Sequence, residues 1–179
     1  NPLTKIEDAR LDQEGISNHL CSRDYYEVIN YSFIEESIDN LVSGKETKLK
    51  LSNPISSEMS VMRSTLLPGL LTSASRNLAR QNERVRLFEV GKVFSGNLNN
   101  HHENEHIAAI IIGAPQAESW LAGPKNVDFY NLKGDLESLL SSFSLRNQYI
   151  YKAEDHPMMH PGQSASIKCN KKIIGLIGK

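Results

Sequence analysis

The chain has 179 residues, of which 39% are hydrophobic and 23% are charged, a composition typical of a single soluble globular domain. Its formal net charge of −1 gives no overall basic field that would attract a nucleic-acid backbone, so any RNA contact would be local. The apolar runs are too short to span a membrane, and the first residues lack the basic start and apolar stretch of a secretion signal.

The termini and the cysteines predict the setting of the chain. The sequence begins without a methionine and ends directly after an apolar run, which predicts a fragment of a longer protein. Cys21 and Cys169 lie far apart in the sequence and are expected to be reduced thiols, which favours a cytoplasmic protein.

The first third of the chain predicts a linker followed by short helices and strands. The predicted elements are, in order, a linker at 1–13, a helix at 14–23, a strand at 25–33, a helix at 34–42 and an edge strand at 48–51. The first helix has an apolar side that includes Leu20, and Gly44 ends the second helix.

A longer helix is predicted over residues 66–82, where Ser64 or Thr65 can cap the first turn. Its predicted buried stripe consists of Leu67, Leu70, Leu71, Ala74 and Leu78. Arg76 and Arg80 are one turn apart and lie on another face.

The hydrophobic pattern then changes to a period of two, which predicts strands. Residues 84–90 and 92–94 are expected to form one strand with a bulge at Gly91. Residues 95–105 read as a polar turn region, and the continuous apolar run at 106–112 predicts a strand covered on both faces.

The last third predicts one helix and three strands, after an irregular stretch at 113–126. Asp128 is expected to cap a helix whose apolar stripe comprises Phe129, Leu132, Leu136, Leu139, Leu140 and Phe143. The strands are predicted at 148–152, 164–169 and 172–177, with a hairpin turn at Asn170-Lys171. Strands joined by turns predict an α+β fold, a mostly antiparallel sheet flanked by helices.

The histidines and carboxylates do not match a catalytic or metal-binding motif. His156 and His160 are four residues apart, but the proline after each prevents a regular helix there. Asp135 and Glu137 would point to different faces of their helix. We therefore place no catalytic, cofactor-binding or metal-binding residue on this chain.

Four arginines form the remaining candidate set for binding. Arg76, Arg80, Arg84 and Arg86 could contact RNA phosphates or the carboxylates of a partner protein. The alternative interpretation is a solvated helix face with no binding role.

Three stretches, in the same order along the chain, carry a resemblance to a known family. They are 53–71, in which a Ser- and Met-rich loop runs into Arg63-Ser64-Thr65 and an apolar helix start, then 127–137 and 160–165. They resemble the catalytic-like class II module in the beta subunit of bacterial phenylalanine–tRNA synthetase, and the resemblance covers residues 14–179. Residues 1–13 remain a linker.

The resemblance implies a parent enzyme with an α₂β₂ assembly that attaches phenylalanine to tRNA(Phe) with ATP and Mg²⁺. Its alpha subunit carries the catalytic domain, and the magnesium ligands and the proofreading and anticodon-binding domains lie outside the stretch seen here. Cofactors are therefore expected for the parent enzyme and none for this chain.

Positions that serve catalysis elsewhere in the class are replaced in this sequence. Asn30-Tyr31 stands where Thr-Pro is expected, and Arg63-Ser64-Thr65 is followed by leucines where catalytic relatives carry polar residues. Ser95-Gly96 occupies the place of the arginine that neutralises the ATP α-phosphate. Lys92 is a weak substitute, because an ammonium group lacks the bidentate fork of a guanidinium group.

The sequence and the resemblance together predict a non-catalytic structural module that docks on the alpha subunit, in an assembly with a second αβ pair. The expected interface residues are Leu20, Tyr25, Tyr26, Val28 and Tyr31. Two alternatives stay open. They are an active adenylate-forming domain and a tRNA-contacting module that uses the four arginines.

Overall fold

The structure, a computed structural model, describes residues 12–44, 49–116, 126–142 and 149–179. The chain divides into two compact units. The first unit contains the described residues up to Asp24 together with those from Val127 to Lys179, and the second unit runs from Tyr25 to Asn126. No helix among the described residues is long and apolar enough to cross a bilayer.

The described residues form helices and short to long strands. The helices are α1 (Gln13–Cys21), α2 (Glu36–Ser43), α3 (Leu67–Ala79) and α4 (Phe129–Ser142), with a 3-10 turn at Ser57–Met59. The strands are β1 (Tyr26–Glu27), β2 (Phe33–Ile34), β3 (Val61–Met62), β4 (Val85–Asn97), β5 (Asn100–Ile112), β6 (Tyr149–Ala153), β7 (Ser164–Cys169) and β8 (Lys172–Gly178).

The second unit is built around the long β4–β5 hairpin. Strand β4 pairs antiparallel with β5 along its whole length, and the short β1 pairs parallel with β4 on its other side. Strands β2 and β3 form a separate antiparallel pair. Helix α3 packs on the larger sheet through a buried cluster made of Leu70, Ala74, Val85 and Leu87.

The first unit consists of the β6-β7-β8 sheet and its helices. All strand pairs in this sheet are antiparallel. Asp128 and Asn131 cap α4 reciprocally, since each carboxylate or amide oxygen accepts a hydrogen bond from the other residue's backbone N–H at 3.0 and 2.8 Å. Helix α4 then covers the sheet through a cluster centred on Ala165, Ile167 and Ile177.

The fold class is confirmed as α+β with mainly antiparallel strands. The cap at Asp128, the stop at Gly44 and the turn at Asn170-Lys171 are also confirmed. Gly44 ends α2 with a φ of +64°, and both turn residues have positive φ, at 48° and 69°. These features depend on neighbouring residues, so the local sequence is enough to predict them.

The single strand predicted over 25–33 is wrong. Strand β1 ends at Glu27, and β2 begins only at Phe33. The backbone N–H of Val28 still donates to Phe88 O at 2.9 Å, as in a strand. Two residues further on, the backbone N–H of Asn30 donates to the side-chain oxygen Oε1 of Glu89 at 3.3 Å. A side chain from β4 therefore takes the place of a strand partner.

The bulge predicted at Gly91 and the turn region predicted at 95–105 are also wrong. The β4–β5 ladder is continuous from Val85 opposite Ile112 to Asn97 opposite Asn100. Gly91 is required for another reason, because a β-carbon there would lie 2.6 Å from Nη2 of Arg63. The polar residues of this stretch lie on an exposed part of the hairpin rather than in a loop.

Three further expectations need correction. Residues 106–112 are exposed or half-buried instead of covered on both faces. In α3, Leu71 and Leu78 are 40% and 42% exposed. Of the two predicted caps, the Ser64 hydroxyl bonds to Asp39 at 2.9 Å, whereas Thr65 Oγ1 accepts from the Leu67 N–H of the first turn at 3.4 Å. The edge strand at 48–51 is reduced to an isolated bridge at Lys50, and residue 48 lies outside the described residues, as does Phe143.

Candidate functional site

Residues 26–31 form an exposed segment of the second unit that carries several large apolar side chains. Tyr26, Ile29 and Tyr31 are 72%, 93% and 73% exposed, while Val28 between them is half-buried against the core of this unit. Large apolar side chains held in solvent mark surfaces that bind other proteins. The 26–31 segment is therefore a candidate docking surface.

The other two predicted interface residues are not on this surface. Tyr25 is 3% exposed, and the guanidinium carbon of Arg86 lies 4.4 Å from the centroid of its ring. Leu20 is 4% exposed on α1 in the first unit. In this chain both side chains contribute to packing, so Tyr26, Val28 and Tyr31 of the predicted set lie on the exposed segment together with Ile29, and their contact with a partner stays a prediction.

A buried polar network lies directly behind the 26–31 segment. Arg63 Nη1 donates to Glu89 Oε1 at 2.6 Å, and the two side chains are 6% and 3% exposed. Arg63 Nε also donates to Lys92 O at 2.9 Å. The second carboxylate oxygen of Glu89, Oε2, accepts a hydrogen bond from Asn30 Nδ2 at 2.7 Å, so both oxygens are hydrogen-bonded. The buried charges are paired and hydrogen-bonded, as burial requires.

Arg63 begins the run that lines the substrate pocket in catalytic relatives, and here it binds within the chain. The leucines that follow this run are also inaccessible to solvent, since Leu66 is 2% exposed and Leu70 is fully buried. The Arg63 guanidinium group is therefore neutralised by Glu89 within the chain.

Lys92, the weak substitute for the ATP-binding arginine, also forms an ion pair within the chain. Lys92 Nζ donates to Glu103 Oε2 at 2.8 Å across the β4–β5 ladder. This hydrogen bond raises the pKa of Lys92 and lowers the pKa of Glu103. Both side chains are exposed, so the ion pair is a solvated surface contact.

The four predicted arginines do not form one surface. Arg76 lies in the last turn of α3 and Arg80 at its end, and both are exposed. Arg84 is half-buried and Arg86 is 7% exposed beside Tyr25. Arg86 packs within the unit, and contact of the four arginines with RNA or a partner stays a prediction.

Two of the three family-like stretches meet in the first unit. A cleft of about 440 Å³ lies between the first turns of α4, strand β6 and the start of β7. Its lining includes Asp128, Phe129, Tyr130 and Lys133 from one stretch and Gly162, Gln163, Ser164 and Ala165 from the other. Lys133 Nζ lies 4.9 Å from the ring centroid of Tyr151, and burial raises the pKa of that tyrosine.

Within 12–44, 49–116, 126–142 and 149–179, no three His, Cys, Asp or Glu side chains form a group that could hold a metal ion.

Comparison with solved structures defines the class of protein. The fold is similar to that of pyrrolysyl-tRNA synthetase from Desulfitobacterium hafniense, with a TM-score of 0.63 and 15% identity over 90% of this chain and 55% of that chain. It is also similar to an ATP phosphoribosyltransferase regulatory subunit/histidyl-tRNA synthetase from Bacillus halodurans C, with a TM-score of 0.55 and 12% identity over 78% of this chain and 34% of that one. The fold is that of the class II tRNA synthetases.

Sequence comparison then identifies the family. Residues 3–179 match the model for the phenylalanyl tRNA synthetase beta chain CLM domain, and the chain belongs to this family. It is 42% identical to the phenylalanine–tRNA ligase beta subunit of Pasteurella multocida over 98% of its length, and 40% identical to that of Pseudomonas putida over 96%. The resemblance inferred from the three stretches is confirmed. The chain spans 22% of the length of these relatives.

The sequence analysis did not identify the residues that support the 26–31 segment on its buried side. The strand predicted over 25–33 includes Ile29, Asn30 is noted only as a departure from the family pattern, and Glu89 has no predicted role. The available signal was a buried-type strand, residues 85–90, that carries a glutamate among apolar residues. A carboxylate at such a position predicts a paired cation, and Arg63 is that cation.

Proposed function

We propose that this chain is a non-catalytic structural module of the beta subunit of a phenylalanine–tRNA ligase, and that it packs on the catalytic alpha subunit. The parent enzyme would be an α₂β₂ assembly in the cytoplasm that joins phenylalanine to tRNA(Phe) with ATP and Mg²⁺. This chain would contribute the docking surface and none of the reacting groups.

The observation that carries the proposal is the exposure of Tyr26, Ile29 and Tyr31 on one short segment. Aromatic and aliphatic side chains of this size give affinity when a partner removes them from water. The ion pair between Arg63 and Glu89 supports the non-catalytic part of the proposal, because Glu89 neutralises the charge of Arg63 and leaves it unavailable to a substrate.

The docking part is tested by Tyr26→Asp in the full-length gene product, co-expressed with the alpha subunit and analysed by size exclusion. We expect weaker co-elution, because the interface would bury an unpaired carboxylate. Ile55→Asp is the matched control, since Ile55 is 87% exposed in the same unit and lies outside the segment. Co-elution that survives Tyr26→Asp unchanged would refute the assignment.

An active adenylate-forming domain is the first rival. Calorimetric titration of this chain with ATP distinguishes the two readings, and the proposal expects no saturable binding. Micromolar binding that Lys92→Ala abolishes would favour the rival.

A tRNA-contacting module is the second rival, now limited to the exposed Arg76 and Arg80 with the half-buried Arg84. This reading expects tRNA affinity with steep salt dependence that falls when Arg76→Ala and Arg80→Ala are combined. Unchanged affinity in that double variant would remove it.

A further inference from the structure

We propose that Asn30 is a positioning residue, which clamps the backbone of the 26–31 segment so that Ile29 and Tyr31 are held outward for the partner. This inference rests on the proposed function, because it concerns the same docking surface. It adds a cause for the shape of that surface.

The clamp consists of hydrogen bonds on every polar atom of the Asn30 side chain. Nδ2 donates to Glu89 Oε2 at 2.7 Å, and Oδ1 accepts from Ser73 Oγ at 3.0 Å. The backbone N–H of Asn30 also donates to Glu89 Oε1 at 3.3 Å. Asn30 is therefore tied to β4 on one side and to α3 on the other.

Glu89 is a firm anchor for this clamp. It is 2% exposed, and Arg63 holds its Oε1 at 2.6 Å. Arg63 in turn donates from its backbone N–H to Ser32 O at 2.9 Å, just beyond the segment. The segment is thus bonded at Asn30 to a carboxylate of a buried ion pair, and Ser32, just beyond the segment, is bonded to the backbone of Arg63.

Gly69 on α3 provides the space that the clamp needs. A β-carbon at Gly69 would lie 2.7 Å from Cβ of Asn30 and 2.8 Å from its Cγ, closer than atoms in contact allow. Asn30 fits against the helix at Gly69, and its side chain is bonded to Glu89 and Ser73 inside the unit, whereas the side chains of its two neighbours in sequence are exposed. Ile29 and Tyr31 are accordingly 93% and 73% exposed.

Holding these two side chains in place before binding lowers the entropy lost on binding. Without the clamp, the segment would have to be ordered by the partner. Ordering two side chains and their backbone weakens association by about tenfold.

The test compares Asn30→Ala and Gly69→Ala in the full-length gene product, with the dissociation constant for the alpha subunit as the readout. Asn30→Ala removes the clamp, and Gly69→Ala displaces it while favouring the helix. Gly134→Ala on α4 is the matched control, because a β-carbon there meets nothing within 4 Å. Hydrogen exchange of residues 28–32 in the free protein reports the loss of the clamp without the partner.

We expect both clamp variants to raise the dissociation constant by about tenfold and to speed exchange at 28–32, while Gly134→Ala changes neither. If Tyr31→Ala weakens binding but the clamp variants do not, the positioning role is overturned and the docking surface stands. If Tyr31→Ala also has no effect, the docking surface itself is wrong.

Discussion

Glu89 is the residue on which the interior of the second unit depends most. It is 2% exposed, and its hydrogen-bonding partners, Asn30 and Arg63, come from two separate parts of the chain. A buried carboxylate of this kind is tolerated only because a cation and amide donors compensate its lost hydration.

Replacing Glu89 by Gln should therefore cost about 3–5 kcal/mol of local stability, since Arg63 would keep a buried charge without a counter-ion. Native-state hydrogen exchange of the β4 amides measures this cost. The double variant Arg63→Met with Glu89→Gln should lose less than Glu89→Gln alone, because it removes the uncompensated charge. An effect below about 1 kcal/mol for Glu89→Gln would mean that the ion pair is not buried as described.

His19 gives the first unit a dependence on pH. Its Nε2 lies 3.2 Å from Ser138 Oγ, and burial, followed by the charge of Arg23, lowers the pKa of His19 below its usual 6.5. The unfolded chain therefore binds a proton at a higher pH than the folded chain, and stability falls as the pH drops through 6.5.

When the pH is lowered from about 7.5 to about 5.5, we expect the His19→Gln variant to lose less stability than the native chain, because glutamine does not titrate. Thermal unfolding of the first unit, followed at both pH values, measures the difference. Equal pH dependence in the two proteins would contradict the role given to His19.

At the scale of elements, the β7–β8 hairpin shows what a local signal can predict. Asn170 and Lys171 form a two-residue turn with positive φ at both positions, a conformation that suits glycine at the second one. The turn chemistry is contained in the turn itself, and the sequence alone predicts it.

Lys171→Gly should stabilise this hairpin by about 1 kcal/mol, because glycine removes the cost of the left-handed conformation. Lys172→Gly, one residue further on, should destabilise it by about 0.5–1 kcal/mol, since it places glycine within strand β8. Chemical denaturation of the two variants tests the pair. A loss of stability in Lys171→Gly would contradict the turn assignment.

The elements that sequence reasoning predicted incorrectly depend on distant residues. The end of β1 is determined by Glu89, which is 59 residues away from Asn30. The burial of Tyr25 depends on Arg86 in the neighbouring strand, and no local pattern contains that pairing. Tyr26 and Tyr31 could be named from the aromatic pattern, whereas the exposure of Ile29 follows only from the bonds of Asn30.

At the scale of the molecule, the chain has the fold of an enzyme class, but charged side chains in it form ion pairs with other side chains of the same chain. Arg63 binds Glu89, Lys92 binds Glu103, and leucines fill the helix entry next to Arg63. Among the described residues of the second unit, the 26–31 segment carries three large apolar side chains that are at least 72% exposed, which is why we propose a role in assembly for it.

The dissociation constant between the full-length gene product and the alpha subunit tests this assignment most directly. Replacing Ile29 and Tyr31 together by Ser should weaken the complex by at least about thirtyfold, as expected for two anchors at a hot spot. Replacing Ile55 and Leu98 by Ser, which removes apolar side chains that are 87% and 69% exposed elsewhere in the same unit, should leave it unchanged. Equal affinities for the two double variants would contradict the account.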